Sequence, residues 1–174
     1  MRALLPVFLL LFAVTLCVAP QHSHAAQPLP AAQLLAQIDA IGPRKVIEQL
    51  WLEEVQWDGV IARIASGNRD WLEVARRLRP GADAETGAPE ALDLAVFRAL
   101  MRAPVQVLQM LHEGQYPLAQ ICSSNIVADQ SNNEARRLIA SGINAVSRVR
   151  DIALLDTKAK CEHGLREALQ DIPY

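Results

Sequence analysis

The sequence predicts an all-α protein, an irregular helical bundle that is closed by one disulfide. Apolar residues recur at i, i+3, i+4 and i+7 in three successive stretches between residues 57 and 102, which places one apolar stripe on each helix. Proline, glycine and asparagine separate the stretches, and no strand-like alternation of useful length occurs. The stripes are Trp57, Val60, Ile61 and Ile64, then Trp71, Val74, Ala75 and Leu78, and then Leu92, Ala95, Val96, Ala99 and Leu100.

The composition suits one packed domain with no strong charge bias. The chain has 174 residues, of which 51% are hydrophobic, so it has enough apolar material for a core. Lys and Arg number 17 against 19 for Asp and Glu, and the two signs are mixed along the chain. Because a nucleic-acid-binding domain concentrates basic residues on one face, we expect no nucleic-acid partner.

Residues 1–25 have the layout of a secretory signal peptide. Arg2 supplies the positive start, Leu4–Val18 is the apolar run, and Ser23–Ala25 places small residues before a cleavage point. The run is shorter than the roughly 20 residues that a transmembrane helix needs, so an uncleaved anchor is the less favoured alternative. We therefore expect one helical domain over residues 26–174. It would be periplasmic or secreted, and would meet the membrane only through the signal peptide before cleavage.

Glycine, proline and asparagine set the boundaries of the first four predicted helices. Gly42 ends the first helix, and Pro43 suits the first position of the second, where its missing N–H costs nothing. Asn68 is a good N-cap for the fourth helix. Trp51 is expected to point inward from the second helix. The predicted bounds are Ala31–Ile41, Pro43–Leu52, about Glu53–Ala65, and Asn68 to just before Pro80.

The second half of the chain is predicted to contain two more helices, a short helical turn and two longer helices. Composition makes Gly81–Ala88 and Ser123–Asn133 surface loops, and Ser131 fits the capping-box pattern at the start of a long helix. Leu155 is expected inward on the last helix, which contains Gly164 at a cost of about 1 kcal/mol relative to alanine. The elements are Pro89–Arg102, a helix from Val105 to Gly114, Pro117–Ile121, a long helix that follows the Ser131 cap and has a break near Asp151–Ala153, and a last helix reaching Leu169.

The middle helices are short and tightly connected, like the stacked helix pairs of HEAT-like solenoids, although no segment repeats at a fixed period. We therefore predict a HEAT-like middle. The segments IASGNRDWLEVARRLRPGAD and EALDLAVFRALMRAPVQVL, with ICSSN and AKCEHGL further on, resemble a group of small exported proteobacterial helical proteins of uncharacterised function. The resemblance implies a secreted helical protein, and it brings no activity and no functional residue.

Two cysteines, Cys122 and Cys161, remain after removal of residues 1–25. An even pair in an exported chain indicates a disulfide. Cys161 lies four residues before Leu165 and therefore shares the inward face of the last helix. We predict an intramolecular Cys122–Cys161 bridge; the alternatives are two free buried thiols or a bridge between two copies.

The chain lacks the common catalytic motifs, including GxSxG, HExxH, the P-loop, GxGxxG and CxxC. We therefore predict no catalytic residue, no cofactor and no metal site. His112 and His163 fall short of the three or four ligands that zinc sites use. Trp57 and Trp71 each open an apolar stripe and are expected in the core, whereas exposed tryptophans would mark a binding surface.

We expect this chain to bind another periplasmic protein rather than to catalyse a reaction, by analogy with immunity or inhibitor proteins. The alternative is a cell-envelope hydrolase whose carboxylates, such as Glu54 and Asp58, act as a pair on one helix face. Acids are common in the first turns of helices because the helix dipole stabilises them there, and this favours the binding protein. A cleft joining the two acids to exposed tryptophans would favour the hydrolase.

Overall fold

Nine α-helices and four short 3-10 helices make up the part of the chain that the structure describes, residues 29–173 of a computed structural model, and this part contains no strand. The all-α prediction is confirmed. The predicted signal peptide, residues 1–25, lies outside the described residues. The helices are α1 (Ala31–Ile41), α2 (Pro43–Trp51), α3 (Glu54–Ile64), α4 (Arg69–Leu78), α5 (Ala88–Arg102), α6 (Pro104–His112), α7 (Leu118–Ile121), α8 (Asn132–Ser147) and α9 (Leu155–Asp171).

The helix boundaries follow the local signals in the sequence. Gly42, with φ of 85°, turns the chain between α1 and α2, and Pro43 opens α2. The Asn68 side chain accepts a hydrogen bond from the backbone N–H of Asp70 at 2.9 Å. The Ser131 hydroxyl accepts one at 3.4 Å from the third residue of α8. These caps satisfy N–H groups that the first turn of a helix leaves without a partner.

The central helix of the bundle is α5. It packs against α3, α4, α6, α7 and α8, and 9 of its 15 residues are buried. A helix that is apolar on most sides is a core helix, so burial extends beyond the predicted stripe to Pro89, Asp93 and Phe97. The Phe97 ring lies directly over Gly142 of α8, where a side chain would find no room. The two helices therefore approach closely at this glycine.

The remaining helices form two groups around α5. In the first group, α1 contacts α2 and α4, and α3 contacts α2 and α4; in the second, α8 lies along α9. One connected apolar core passes through both groups, from Ala31 to Ala168. The HEAT-like description of the middle helices stays a prediction.

A disulfide joins Cys122, directly after α7, to Cys161 inside α9, which confirms the predicted bridge. The two sulfur atoms are 2.02 Å apart, the Cα atoms are 5.0 Å apart, and both residues are buried. Gly164 lies one turn after Cys161. A Cβ at this position would overlap the carbonyl oxygen of Cys122. This close approach of two backbones explains why a glycine stands inside α9, where it is a poor helix former.

Several of the sequence predictions about burial are wrong. Trp51 and Leu155, both expected inward, are 44% and 49% exposed. Trp51 is the last residue of α2 and Leu155 the first of α9, so each lies at a helix end. Ser123–Asn133, expected to be a polar surface loop, contains a 3-10 helix, Ser124–Val127, whose last two residues are buried. The neighbouring disulfide holds this segment against α9, which carries its apolar residues into the core.

We expect Gly164→Ala to lower the free energy of unfolding by about 1–3 kcal/mol, the usual cost of overpacking. Alanine is the better helix former by about 1 kcal/mol, so a net loss would come from overlap with Cys122. Gly59→Ala is the matched control, because a Cβ at that position in α3 meets no atom within 4 Å. Urea unfolding of the two variants measures the difference, and equal stabilities would contradict the close approach.

Reduction of the disulfide should destabilise the fold. The bridge spans 39 positions of sequence, and the loop-closure entropy of such a crosslink corresponds to about 4 kcal/mol. Thermal unfolding with and without reductant measures the loss, and a Cys122→Ala/Cys161→Ala variant, which reductant cannot affect further, is the control. A melting curve that reductant leaves unchanged in the parent protein would mean that the bridge contributes little.

Candidate functional site

Three exposed hydrophobic side chains lie where α2 meets α3: Trp51, Leu52 and Val55, which we call the apolar corner. Their exposed fractions are 44%, 86% and 82%. Only two residues, 52 and 53, separate the helices. Exposed apolar side chains are unremarkable one at a time, but a group of them marks an interaction surface. The corner is therefore the first candidate for a functional surface.

The buried Trp57 packs against Trp51 of the apolar corner. Trp57 is buried, as predicted, and its ring centroid lies 5.2 Å from that of Trp51 at an interplanar angle of 62°. This edge-to-face arrangement is a favourable geometry for aromatic pairs. The contact covers part of the Trp51 ring, while 44% of the residue stays exposed. Positioned tryptophans of this kind are enriched among the residues that dominate binding energy at protein interfaces.

Acidic side chains border the apolar corner. Glu53, Glu54 and Asp58 are all exposed. The Glu53 carboxylate accepts a hydrogen bond from the Gln56 amide. Across residues 29–173, neither Glu54 nor Asp58 has a basic side chain within ion-pair distance. The surface at this junction therefore combines apolar contact area with negative charge that the surrounding protein does not neutralise.

Trp71 lines a groove together with Val55 of the apolar corner. Its side chain is partly buried, packed against the core as predicted. The Arg63 guanidinium lies over the ring, 5.1 Å from its centroid, which is within the range of a cation–π contact. Arg63 Nη1 also donates a hydrogen bond to the carbonyl oxygen of Leu29 at 2.7 Å. A charged side chain thus covers part of the outer face of Trp71, so we leave Trp71 out of the candidate surface.

The two carboxylates of the hydrolase alternative, Glu54 and Asp58, share the exposed face of α3. A glycosidase acid needs a shielded environment that raises its pKa, opposite a second carboxylate across the bound sugar. The groove beside Trp71 is lined by Leu29, Val55, Arg63 and neighbouring residues rather than by these acids. The geometry therefore offers them a solvated surface.

Asp93 is a buried charged residue that was not predicted from the sequence, and it is only 6% exposed. Its Oδ1 accepts hydrogen bonds from the Tyr116 hydroxyl at 2.6 Å and from Arg79 Nε at 2.8 Å, and its Oδ2 accepts one from Arg79 Nη2 at 3.1 Å. Burial, together with the adjacent Asp93 carboxylate, raises the pKa of Tyr116 far above its usual range. Burial alone would lower the pKa of Arg79, but its bonds to Asp93 outweigh that effect and raise it.

A polar cleft of about 870 Å³ opens beside this network. Arg79 and Asp93 contribute to its wall, together with acidic and amide side chains and with apolar ones such as Leu94 and Ile126. Both Asp93 oxygens are engaged, so the carboxylate ties the end of α4 and the segment before α7 to α5. We therefore assign the network a structural role. The signal available in the sequence was an acid flanked by Leu92 and Leu94 in a helix with apolar residues on most sides, since a helix buried on most sides must pair its charges.

The described residues show no centre for metal chemistry. Within residues 29–173, no group of three or more His, Cys, Asp or Glu side chains is placed to hold a metal ion. His112 Nδ1 lies 3.0 Å from the Thr157 hydroxyl, and His163 Nε2 lies 3.3 Å from Glu167 Oε1, so each histidine has a local partner. Across the same residues, no helix has both the length and the apolar character that spanning a membrane requires.

Comparison with protein-family models, curated proteins and solved structures gives no match to this chain. The resemblance to small exported proteobacterial proteins therefore stays a prediction. Among the surfaces of residues 29–173 described above, the apolar corner combines exposed hydrophobic side chains, an aromatic ring packed on the core and neighbouring acids.

Replacing Asp93 should be among the costliest single changes in the protein. We expect Asp93→Ala to lower the free energy of unfolding by about 3–5 kcal/mol, because it leaves the Arg79 charge and the Tyr116 hydroxyl without their partner. Tyr116→Phe removes one hydrogen bond to a charged group and should cost about 1.5–3 kcal/mol. Asp129→Ala, at an exposed position of the cleft, is the control and should stay within about 0.5 kcal/mol. Urea titrations that give Asp93→Ala and Asp129→Ala similar stabilities would refute the structural role.

Proposed function

We propose that this chain is a non-enzymatic exported protein that binds another protein of the periplasm, in the manner of an immunity or inhibitor protein. The apolar corner carries the proposal. Leu52 and Val55 are more than 80% exposed, although the chain has an extensive core in which to bury such residues. An exposed apolar surface gains free energy when a partner removes it from water. Trp51, held against Trp57, supplies the large, fixed side chain that binding hot spots favour.

The anatomy of the corner also fits a protein interface. Such interfaces have an apolar centre, often with aromatic residues, and a polar rim that stays accessible to water. Trp51, Leu52 and Val55 provide the centre, and the exposed acids Glu54 and Asp58 lie next to it in the chain. Because the corner rests on α2 and α3, which pack against each other and through α3 on the central helix, little of the surface needs to be ordered on binding.

The hydrolase alternative has less support. It depends on Glu54 and Asp58 acting as an acid and a base, and both are exposed side chains on one turn of α3. A pair of that kind lacks the dry, enclosed surroundings in which catalytic carboxylates acquire different pKa values. The same two residues are better suited to the rim of an interface.

Capture from a periplasmic extract of the source organism tests the proposal. The parent chain is the bait, and a Leu52→Asp/Val55→Asp variant, which places charge in the apolar corner, is the comparison. Proteins that only the parent captures are identified by mass spectrometry, purified and titrated against both baits. We expect the variant to bind at least tenfold more weakly, because it would bury charge at the centre of the interface.

Ile152→Asp is the matched control, since Ile152 is 83% exposed and lies in a different part of the chain. It should bind as the parent does. Circular dichroism melts of all three proteins check that none of the changes disturbs the fold. The proposal fails when no captured protein binds the parent with measurable affinity.

A further inference from the structure

We propose that the partner of the apolar corner presents an apolar side chain surrounded by lysine or arginine. The inference rests on the proposed function and adds the charge of the partner to it. Apolar and acidic residues are interspersed in the segment 51–58, which reads Trp-Leu-Glu-Glu-Val-Gln-Trp-Asp. Within this segment the large apolar residues other than Trp57 are exposed, and so are all three acids.

Basic residues are absent from the segment and from its flanks. No lysine or arginine occurs between Lys45 and Arg63. Lys45 lies about two helical turns before Leu52, at roughly 1.5 Å per residue. Arg63 lines the same groove as Val55, but its guanidinium stacks on Trp71 and donates to the carbonyl oxygen of Leu29 rather than to an acid. Among residues 29–173, none of the three acids Glu53, Glu54 and Asp58 forms an ion pair with a basic side chain.

Other surface acids of this chain fall into two groups, because some form ion pairs and others, such as Glu90 and Asp129, form none among residues 29–173. Asp39 pairs with Arg77, Glu73 with Arg76, and Asp156 with Lys160. Glu48, on α2 just before the corner, pairs with Arg44. Uncompensated acids beside an exposed apolar centre provide charge complementarity for a basic surface, which raises the association rate and selects among partners.

The same charges argue against two other occupants. A second copy of the chain, docked corner to corner about a twofold axis, would bring Glu54 and Asp58 of one copy toward those of the other. Like charges facing each other disfavour that contact. An anionic membrane surface attracts basic segments rather than acidic ones. A basic protein surface satisfies both the apolar and the charged parts of the corner.

Site-specific photo-crosslinking in the periplasm of the source organism provides the test. A benzophenone amino acid replaces Leu52 in the full chain, and the same group in place of Ile152 serves as the control position. Crosslinked peptides are sequenced by mass spectrometry. We expect the group at position 52 to crosslink one protein, within a few residues of lysine or arginine. A crosslink to a second copy, to lipid or to an acidic surface overturns the inference, and so does the absence of any crosslink specific to position 52.

Charge reversal then tests the electrostatic part with the purified partner. Glu54→Lys/Asp58→Lys should weaken binding about tenfold or more at low salt, mainly through slower association. Glu85→Lys/Asp129→Lys changes the net charge equally at exposed positions outside the corner, and it should leave the affinity within about twofold. Equal affinity of the two variants overturns the inference. If Leu52→Asp/Val55→Asp still abolishes binding in that case, the proposed function stands and only the basic character of the partner is refuted.

Discussion

The enclosure of α5 by other helices constrains most of the structure. A charged group on an enclosed helix must find its partners within the protein, and Asp93 finds them in Arg79 and Tyr116. These two residues come from the end of α4 and from the segment before α7, so one carboxylate fixes three parts of the chain relative to each other. Close packing also constrains the position of α8, because Gly142 of α8 lies against the Phe97 ring of α5 and leaves little room for a side chain.

The apolar corner is positioned by the packing of α3 on the central helix α5. α3 packs on α5 and α4, and its buried face includes Trp57, Val60 and Ile64. Trp51 packs edge-to-face on the buried Trp57, and this contact joins the partly exposed ring to the core. The short connection between α2 and α3 leaves Leu52 and Val55 outside. A surface that is already ordered loses little conformational entropy when a partner binds, which is why preorganised interfaces bind more tightly for a given area.

The sequence predicted the features that depend on neighbouring residues. The bounds Ala31–Ile41 follow from the apolar spacing and from Gly42, and Asn68 caps α4 through a bond to the next residue but one. The disulfide was predictable because export would leave only one possible pair. The role of Asp93 was not, since its partners lie 14 and 23 residues away. The exposure of Trp51 was not predictable either, because periodicity describes a helix interior and says little about what covers its last turn.

The acids at the start of α3 show why the sequence alone left two functions open. A helix dipole, a catalytic pair and an interface rim all place carboxylates in such a position, and the sequence records only the residue types. Solvation distinguishes between these roles. In water-exposed surroundings a carboxylate interacts weakly with any single neighbouring atom, yet its field extends over about a Debye length, roughly 8–10 Å at physiological salt. Exposed acids such as Glu54 and Asp58 are therefore poorly placed to reorganise a reacting bond and well placed to orient an approaching partner.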